Sequence, residues 1–388
     1  MPFNRFLWWV CAAQILCCSS CNYLRNVRAL TKGSIAFENS TETLPFSFRK
    51  DLIVVQAHVN SDSTVREFIF DTGAFNSKIE HSLANELELE VVAEKQNSTA
   101  QGVTRKIEVV RIDSLKLGKS WVYSAGAGKL QYDPGSASVC VAENGIIGAN
   151  IIKLAHWKIE YSKQLLHFSD TPFVPSQNSG SVRFERPVLS GTPKINLKIN
   201  DREVQNILLD VGYNGALVLP MRLAAAFPNV ETDTIFDNAT SGIYGTNTDT
   251  LLVKQLKVEV AGFSAMIPVE FSSLNKALLG NGFLKHFDII LNYKNNEIFF
   301  DKTADIHVES GSNFLISPQG DSLWVVSRTS TKLPFKLGDT FVSVNAKKPN
   351  EVYTDFCDFV MNRKTFFSKK PLILETMDGT FITWDGTE

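Results

Sequence analysis

Residues 68–77 read FIFDTGAFNS, and residues 206–216 read NILLDVGYNGA. Each stretch ends an apolar run in an aspartate, with a glycine two residues on: Asp71-Thr72-Gly73 and Asp210-Val211-Gly212. Taken singly, Asp-x-Gly is common turn chemistry, because Asp caps tight turns and Gly enters them without steric cost. Two such sites in one chain raise the question of whether a folding unit occurs twice.

The flanking sequence repeats in the same order. From Leu52, LIVVQAHVNSDSTVREFIFDTG reads as strand, polar turn, strand and Asp. From Ile195, INLKINDREVQNILLDVG follows the same plan, with Ile195, Leu197 and Ile199 alternating with polar residues. Farther on, GIIGANIIKLAHWKIEYSKQLLHF (145–168) matches ALLGNGFLKHFDIILNYKNNEIFF (277–300) without a gap, so Gly148 falls on Gly280 and Tyr161 on Tyr293. Two ordered signals, each present twice, predict a duplicated β-rich lobe. Between them, Gly102 and Gly245 lie in hairpin-like flanks, because apolar residues alternate after each (Ile107 and Val109; Val258 and Val260). TPFVPSQNSGS (171–181) reads as a linker. The expected organisation is lobe one over 48–172, lobe two over 183–303 and a third unit over 305–388.

A chain of 388 residues is long enough for two or three cores. A net charge of −2 without a basic stripe argues against nucleic acid as a partner. The N-terminus has one arginine, Arg5, before an apolar run from Phe6 to Leu16, which suits a signal-peptide core and is too short to span a bilayer. Its CSSC ending at Cys21 resembles a bacterial lipoprotein signal, although Cys18 stands where Leu is usual. That resemblance implies a signal peptide over 1–21, lipidation of Cys21 and a tether over 22–47. It also implies export to the periplasm, outer membrane or cell surface, with membrane contact through the lipid. Outside this segment only Cys140 and Cys357 remain, isolated, with no CxxC and no histidine cluster. Neither a zinc site nor a disulfide framework is expected. A single Cys140–Cys357 bridge is open to an exported protein, with buried thiols the simpler expectation.

A pseudo-two-fold axis between duplicated lobes can bring the two Asp turns face to face. Two carboxyls that close cannot both ionise cheaply, so one keeps its proton as a general acid while the other activates water. FDTGA with GIIGANII resembles the retropepsin-like aspartic proteases, and the duplication in one chain resembles a pepsin-like bilobal enzyme. The resemblance covers about residues 48–302. It implies a mainly β fold of two tandem β-barrel lobes, with Asp71 and Asp210 as the catalytic pair. Thr72 and Gly73, with Val211 and Gly212, would support it; Gly102, Tyr244 and Gly245 are candidate flap tips. In that family the residue after each Asp is normally Thr or Ser, whose hydroxyl braces the opposite loop. Val211 keeps the β-branched shape but cannot make that bond. Damage to support, with both carboxylates kept, is the expected consequence.

The third unit contains LGDTFVSVNAKK, which resembles the Gly-Asp-x-apolar stretch of PDZ domains, followed by a helix candidate near YTDFCDFVMNR. A small α+β domain that takes an extended peptide is the implied role. No HExxH, Gly-x-Ser-x-Gly or Walker pattern occurs, and no metal or cofactor is expected. The leading expectation is an aspartic endopeptidase acting on peptides or proteins. The rival is an impaired pseudo-protease that binds peptides at the surface.

Overall fold

Alternating apolar residues on either side of short polar turns form the hairpins that the repeat predicts. The strands Leu52–Val59 and Arg66–Phe70 pair antiparallel, and so do Lys194–Ile199 and Arg202–Asp210. The computed structural model describes residues 27–99, 102–187 and 189–386, so Cys21 and the signal segment lie outside the described residues. In each lobe the apolar-apolar-Gly segment adds a parallel strand beside the Asp strand. Ile69 and Phe70 face Ile146 and Ile147, while Leu208 and Leu209 face Leu278 and Leu279. These positions are buried on both faces, as suits an apolar run rather than an alternating one.

The matched blocks become equivalent hairpins, His156–Glu160 with Leu165–Ser169 and Phe287–Asn292 with Glu297–Lys302. The two hairpins pair with each other through their first strands. Trp157 faces Leu291, Lys158 faces Ile290 and Ile159 faces Ile289. Lys158 and Ile290 are equivalent positions of the repeat, so the pseudo-two-fold axis passes through that pair. Thr41–Arg49 and Gly180–Arg183 close the two sides, giving a six-stranded sheet shared by the lobes. One apolar core runs through both lobes and includes Trp157, Phe168, Phe287 and Phe300, each 1% exposed or less. The fold is thus mainly β with barrel-like sheets.

Three findings correct the sequence reading. The segment taken as a tether contributes strands Ser34–Ala36 and Thr41–Arg49 to lobe one, with Leu44 and Phe46 buried; the alternation in TETLPFSFR carries that signal. The C-terminal unit has its own core around Trp324, Phe341 and Leu374. Its sheet is nevertheless continuous with lobe two, because Leu323–Ser330 pairs with Asp233–Asp237. Finally, Cys140 and Cys357 form a disulfide, joining the short helix Ala137–Val141 of lobe one to the helix Phe356–Phe367. The expected thiols were isolated only along the chain. The second helix lies where YTDFCDFVMNR was read as helical, capped by Asp355, whose carboxylate accepts from the Asp358 amide at 2.8 Å.

Because the bridge spans 217 positions of sequence, its loss should cost about 2–4 kcal/mol. Cys140→Ser is therefore expected to lower the melting temperature, and alkylation without reductant should leave both residues unmodified in one linked peptide pair. Free thiols at these positions in the oxidised protein would contradict the pairing.

Candidate active site

Asp71 follows the strand Arg66–Phe70, its amide donating to the Ile147 carbonyl at 3.0 Å. Its Oδ1 accepts from the amides of Gly73 and Ala74, each at 2.8 Å. Asp210 ends the strand Arg202–Asp210, and its Oδ1 accepts from the Gly212 amide at 2.9 Å. The two loops face each other. A methyl group placed on Gly73 would overlap the Asp210 carboxyl, and one on Gly212 would overlap that of Asp71. Neither glycine has a positive φ. Both are therefore required for close approach rather than for the tight turn that the sequence suggested.

Thr72 is fully buried; its hydroxyl donates to the Leu209 carbonyl at 2.7 Å and accepts from the Val211 amide at 3.1 Å. The lobe-one hydroxyl therefore keeps two partners in lobe two despite the valine. Val211 is also fully buried and lacks the return bond. A brace absent from the sequence reading stands beside it. The Asn281 amide nitrogen donates to Val211 O and Asp51 O, both at 2.7 Å, and its Oδ1 accepts from Tyr161 Oη at 2.7 Å. This buried asparagine bridges the lobes at a position where the first repeat has Ala149.

Burial pushes both carboxyls above the ordinary Asp range. Asp71 is held down by the Ala74 amide, the Asp210 side chain, the Gly73 amide and the Lys78 ammonium. Asp210 is raised well beyond it by burial, by the Asp71 charge and by the hydrogen bond with Asp71. The pair therefore holds a proton between its two carboxyls, with the stronger upward push on Asp210. Among the described residues, no group of three His, Cys, Asp or Glu side chains is arranged to hold a metal ion.

The flap candidates meet each other through Tyr244. Gly102, with φ of 78°, lies near the turn joining the strands Val91–Ser98 and Thr104–Leu117. Tyr244 is at the turn of a two-residue hairpin between Gly242 and Gly245, and Gly245 has φ of 79°. Asn97 Nδ2 donates to Tyr244 Oη at 3.0 Å, and the Arg105 guanidinium lies 4.4 Å from the centre of the Tyr244 ring. The sequence reading missed Asn97, Arg105, Asn281, Lys78 and Lys95. The ungapped repeat could have marked Asn281, as the polar residue at an apolar position of the matched block.

Thr72→Val would strand a buried carbonyl and a buried amide, so it should destabilise by about 1–3 kcal/mol. Val211→Thr, which adds a hydroxyl at the symmetric position, should be close to neutral in chemical denaturation. Asn281→Ala should cost at least as much as Thr72→Val. Equal effects of Thr72→Val and Val211→Thr would contradict this asymmetry.

Residues 55–150 match the family model described as aspartyl protease, which supports an aspartic protease domain in the first lobe. No curated protein matches the chain. The match thus supports a general aspartic-protease-type function.

Proposed function

We propose that the protein is an aspartic endopeptidase in which Asp71 and Asp210 act as one catalytic pair. The observation that carries this reading is the reciprocal packing of each Asp carboxyl against the other loop's glycine. The stronger upward push on Asp210 suits it to act as the acid and Asp71 as the base. Asp71 removes a proton from a water held between the carboxyls, and the resulting oxygen nucleophile attacks the peptide carbonyl. Asp210 donates its proton to the carbonyl oxygen as the tetrahedral centre forms. Collapse of that centre breaks the C–N bond. The amine leaves with the proton that Asp71 took, and the hydroxyl proton returns to Asp210. One water is consumed per bond, with no covalent enzyme intermediate.

Export as a lipid-anchored protein belongs to this proposal, supported by the lipoprotein-like segment ending at Cys21 and by the Cys140–Cys357 bond, which suits an oxidising compartment. The 305–388 unit is proposed to bind peptide as a PDZ-like domain. Its strand Phe314–Gln319 pairs, among the described residues, only with Leu323–Ser330, which leaves an edge for strand addition. A second reading, a peptide-binding pseudo-protease, rests on one observation: Val211 removes a hydroxyl from the support of Asp210.

The test is cleavage of an unbiased peptide mixture across pH by wild type, Asp71→Asn, Asp210→Asn and Val211→Thr. Both Asn substitutions should abolish cleavage, and Val211→Thr should raise the rate. Activity should fall as pH drops through the raised Asp71 value and protonates the base. It should fall again as pH rises through the Asp210 value and removes the acid. A profile peaking below about pH 3 would contradict the assignment. Cleavage by Val211→Thr alone would favour the pseudo-protease. Stability has its own sign: a carboxyl raised on folding stabilises at low pH, and that contribution is lost as pH rises through its folded value. Asp210→Asn, which mimics the protonated acid, should therefore gain stability over wild type as pH increases.

A further inference from the structure

Beside Asp71, lobe one holds two lysines that make no salt bridge among the described residues, with Asp71 the one acidic group that acts on Lys78 through space. Lys78, on the strand Lys78–Glu80, is 5% exposed, and its ammonium donates to the Asn76 carbonyl at 3.0 Å. Lys95, on the flap strand Val91–Ser98, is half-buried and donates to Asn76 Oδ1 at 2.5 Å. Among the described residues neither ammonium forms an ion pair, and the two repel each other. Ala93, Lys95 and Asn97 share one face of the flap strand, and Asn97 touches Tyr244 of the opposite flap. Lys95 therefore joins this strand to the loop that follows Asp71, through Asn76 and the Phe75 ring.

The fold does not need a lysine at residue 78. Lys78 pairs with Ile146 on one side and Gly128 on the other. The corresponding strand of lobe two pairs Val218 with Leu278 and Glu270. Ile146 and Leu278 are equivalent in the repeat, so Val218 is the counterpart of Lys78, and it is 1% exposed. An apolar side chain thus satisfies the same position in lobe two. Gly128 gives room where a methyl group would press on Ile107 and Lys78. Two ammonium groups carry six donors, of which two are used by Asn76.

We propose that Lys78 and Lys95 form an anion subsite of the cleft that takes the side-chain carboxylate of a glutamate or aspartate in the peptide substrate, close to the scissile bond. The subsite rests on the endopeptidase reading for its place in catalysis, although its binding chemistry stands without it. A carboxylate between the two ammonium groups would give each a direct charged partner, where Asp71 acts on Lys78 only through space, and charge-assisted bonds of this kind are the strong ones. Burial lowers Lys95 to about 8, and burial with the Lys95 charge lowers Lys78 well below the ordinary lysine range; a bound carboxylate would favour the charged form of both.

The test has two arms. In the first, wild-type cleavage products should be enriched in Glu or Asp at one fixed position within a few residues of the cut. Lys95→Met and Lys78→Val should each reduce the preference for Glu over Gln there by roughly ten- to a hundredfold in kcat/KM. Lys95→Glu should turn the preference towards Lys or Arg. Cleavage without an acidic preference, or a preference untouched by both neutral variants, overturns the subsite while leaving the protease reading intact. In the second arm, fluorescence anisotropy compares Glu peptides with their Gln counterparts on Asp210→Asn protein, with and without Lys95→Met. If wild type cleaves nothing, the protease reading fails and this arm decides the subsite: tighter Glu binding lost in Lys95→Met upholds it, and equal binding of Glu and Gln peptides refutes it.

Discussion

Two carboxyl groups share a buried space in which each fills the room left by the other loop's missing side chain. That constraint governs what surrounds it. A second negative charge there is costly, so the pair holds a proton, and burial with the Asp71 charge pushes Asp210 up the more strongly. The same closeness demands that the lobes stay in register to within a fraction of an ångström. The shared six-stranded sheet supplies the long-range alignment, with Lys158 and Ile290 at its centre. Thr72 and Asn281 supply the local alignment, through bonds that cross from one lobe to the other.

Duplication has not left the halves alike. Lobe one keeps the threonine, and lobe two has Val211. Lobe two has gained Asn281 where lobe one has Ala149. A buried hydroxyl with both partners satisfied is worth about 1 kcal/mol net, and removing it costs more if its partners are orphaned. Concentrating cross-lobe bonds on Thr72 and Asn281 is consistent with a loop pair that tolerates one missing hydroxyl. A similar divergence separates Lys78 from Val218, at positions whose backbone surroundings match. Where the backbone is equivalent and the side chains are not, the difference points to chemistry rather than folding.

The C-terminal unit is tied to both lobes by different means. Strand pairing extends the lobe-two sheet into it, and Arg328 lies between Asp237 at 3.4 Å and Glu270 at 3.1 Å. The disulfide attaches it to lobe one near the loop that carries Asp133, which pairs with Arg105 on the strand Thr104–Leu117. The hairpin of Val91–Ser98 and Thr104–Leu117, the Tyr244 hairpin and the C-terminal unit are thus linked to one another.

The sequence alone determined the hairpins that lead into Asp71 and Asp210, the repeat and the two Asp-x-Gly loops, because alternation and periodic spacing are local properties of the chain. Asp71 and Asp210 could be read as counterparts because their neighbours recur in order. Tertiary structure decided everything that depends on approach through space. Gly73 and Gly212 are needed for opposing carboxyls rather than for their own turns. Cys140 and Cys357, isolated along the chain, meet as a bridge. Asn281 reads as one polar residue in an apolar block until its three partners, from both lobes, are placed around it. Lys78 and Lys95 read as ordinary strand lysines until folding brings them together at Asn76, with Lys78 buried beside Asp71. Desolvation and long-range contact leave no local pattern in sequence, and these residues depend on both.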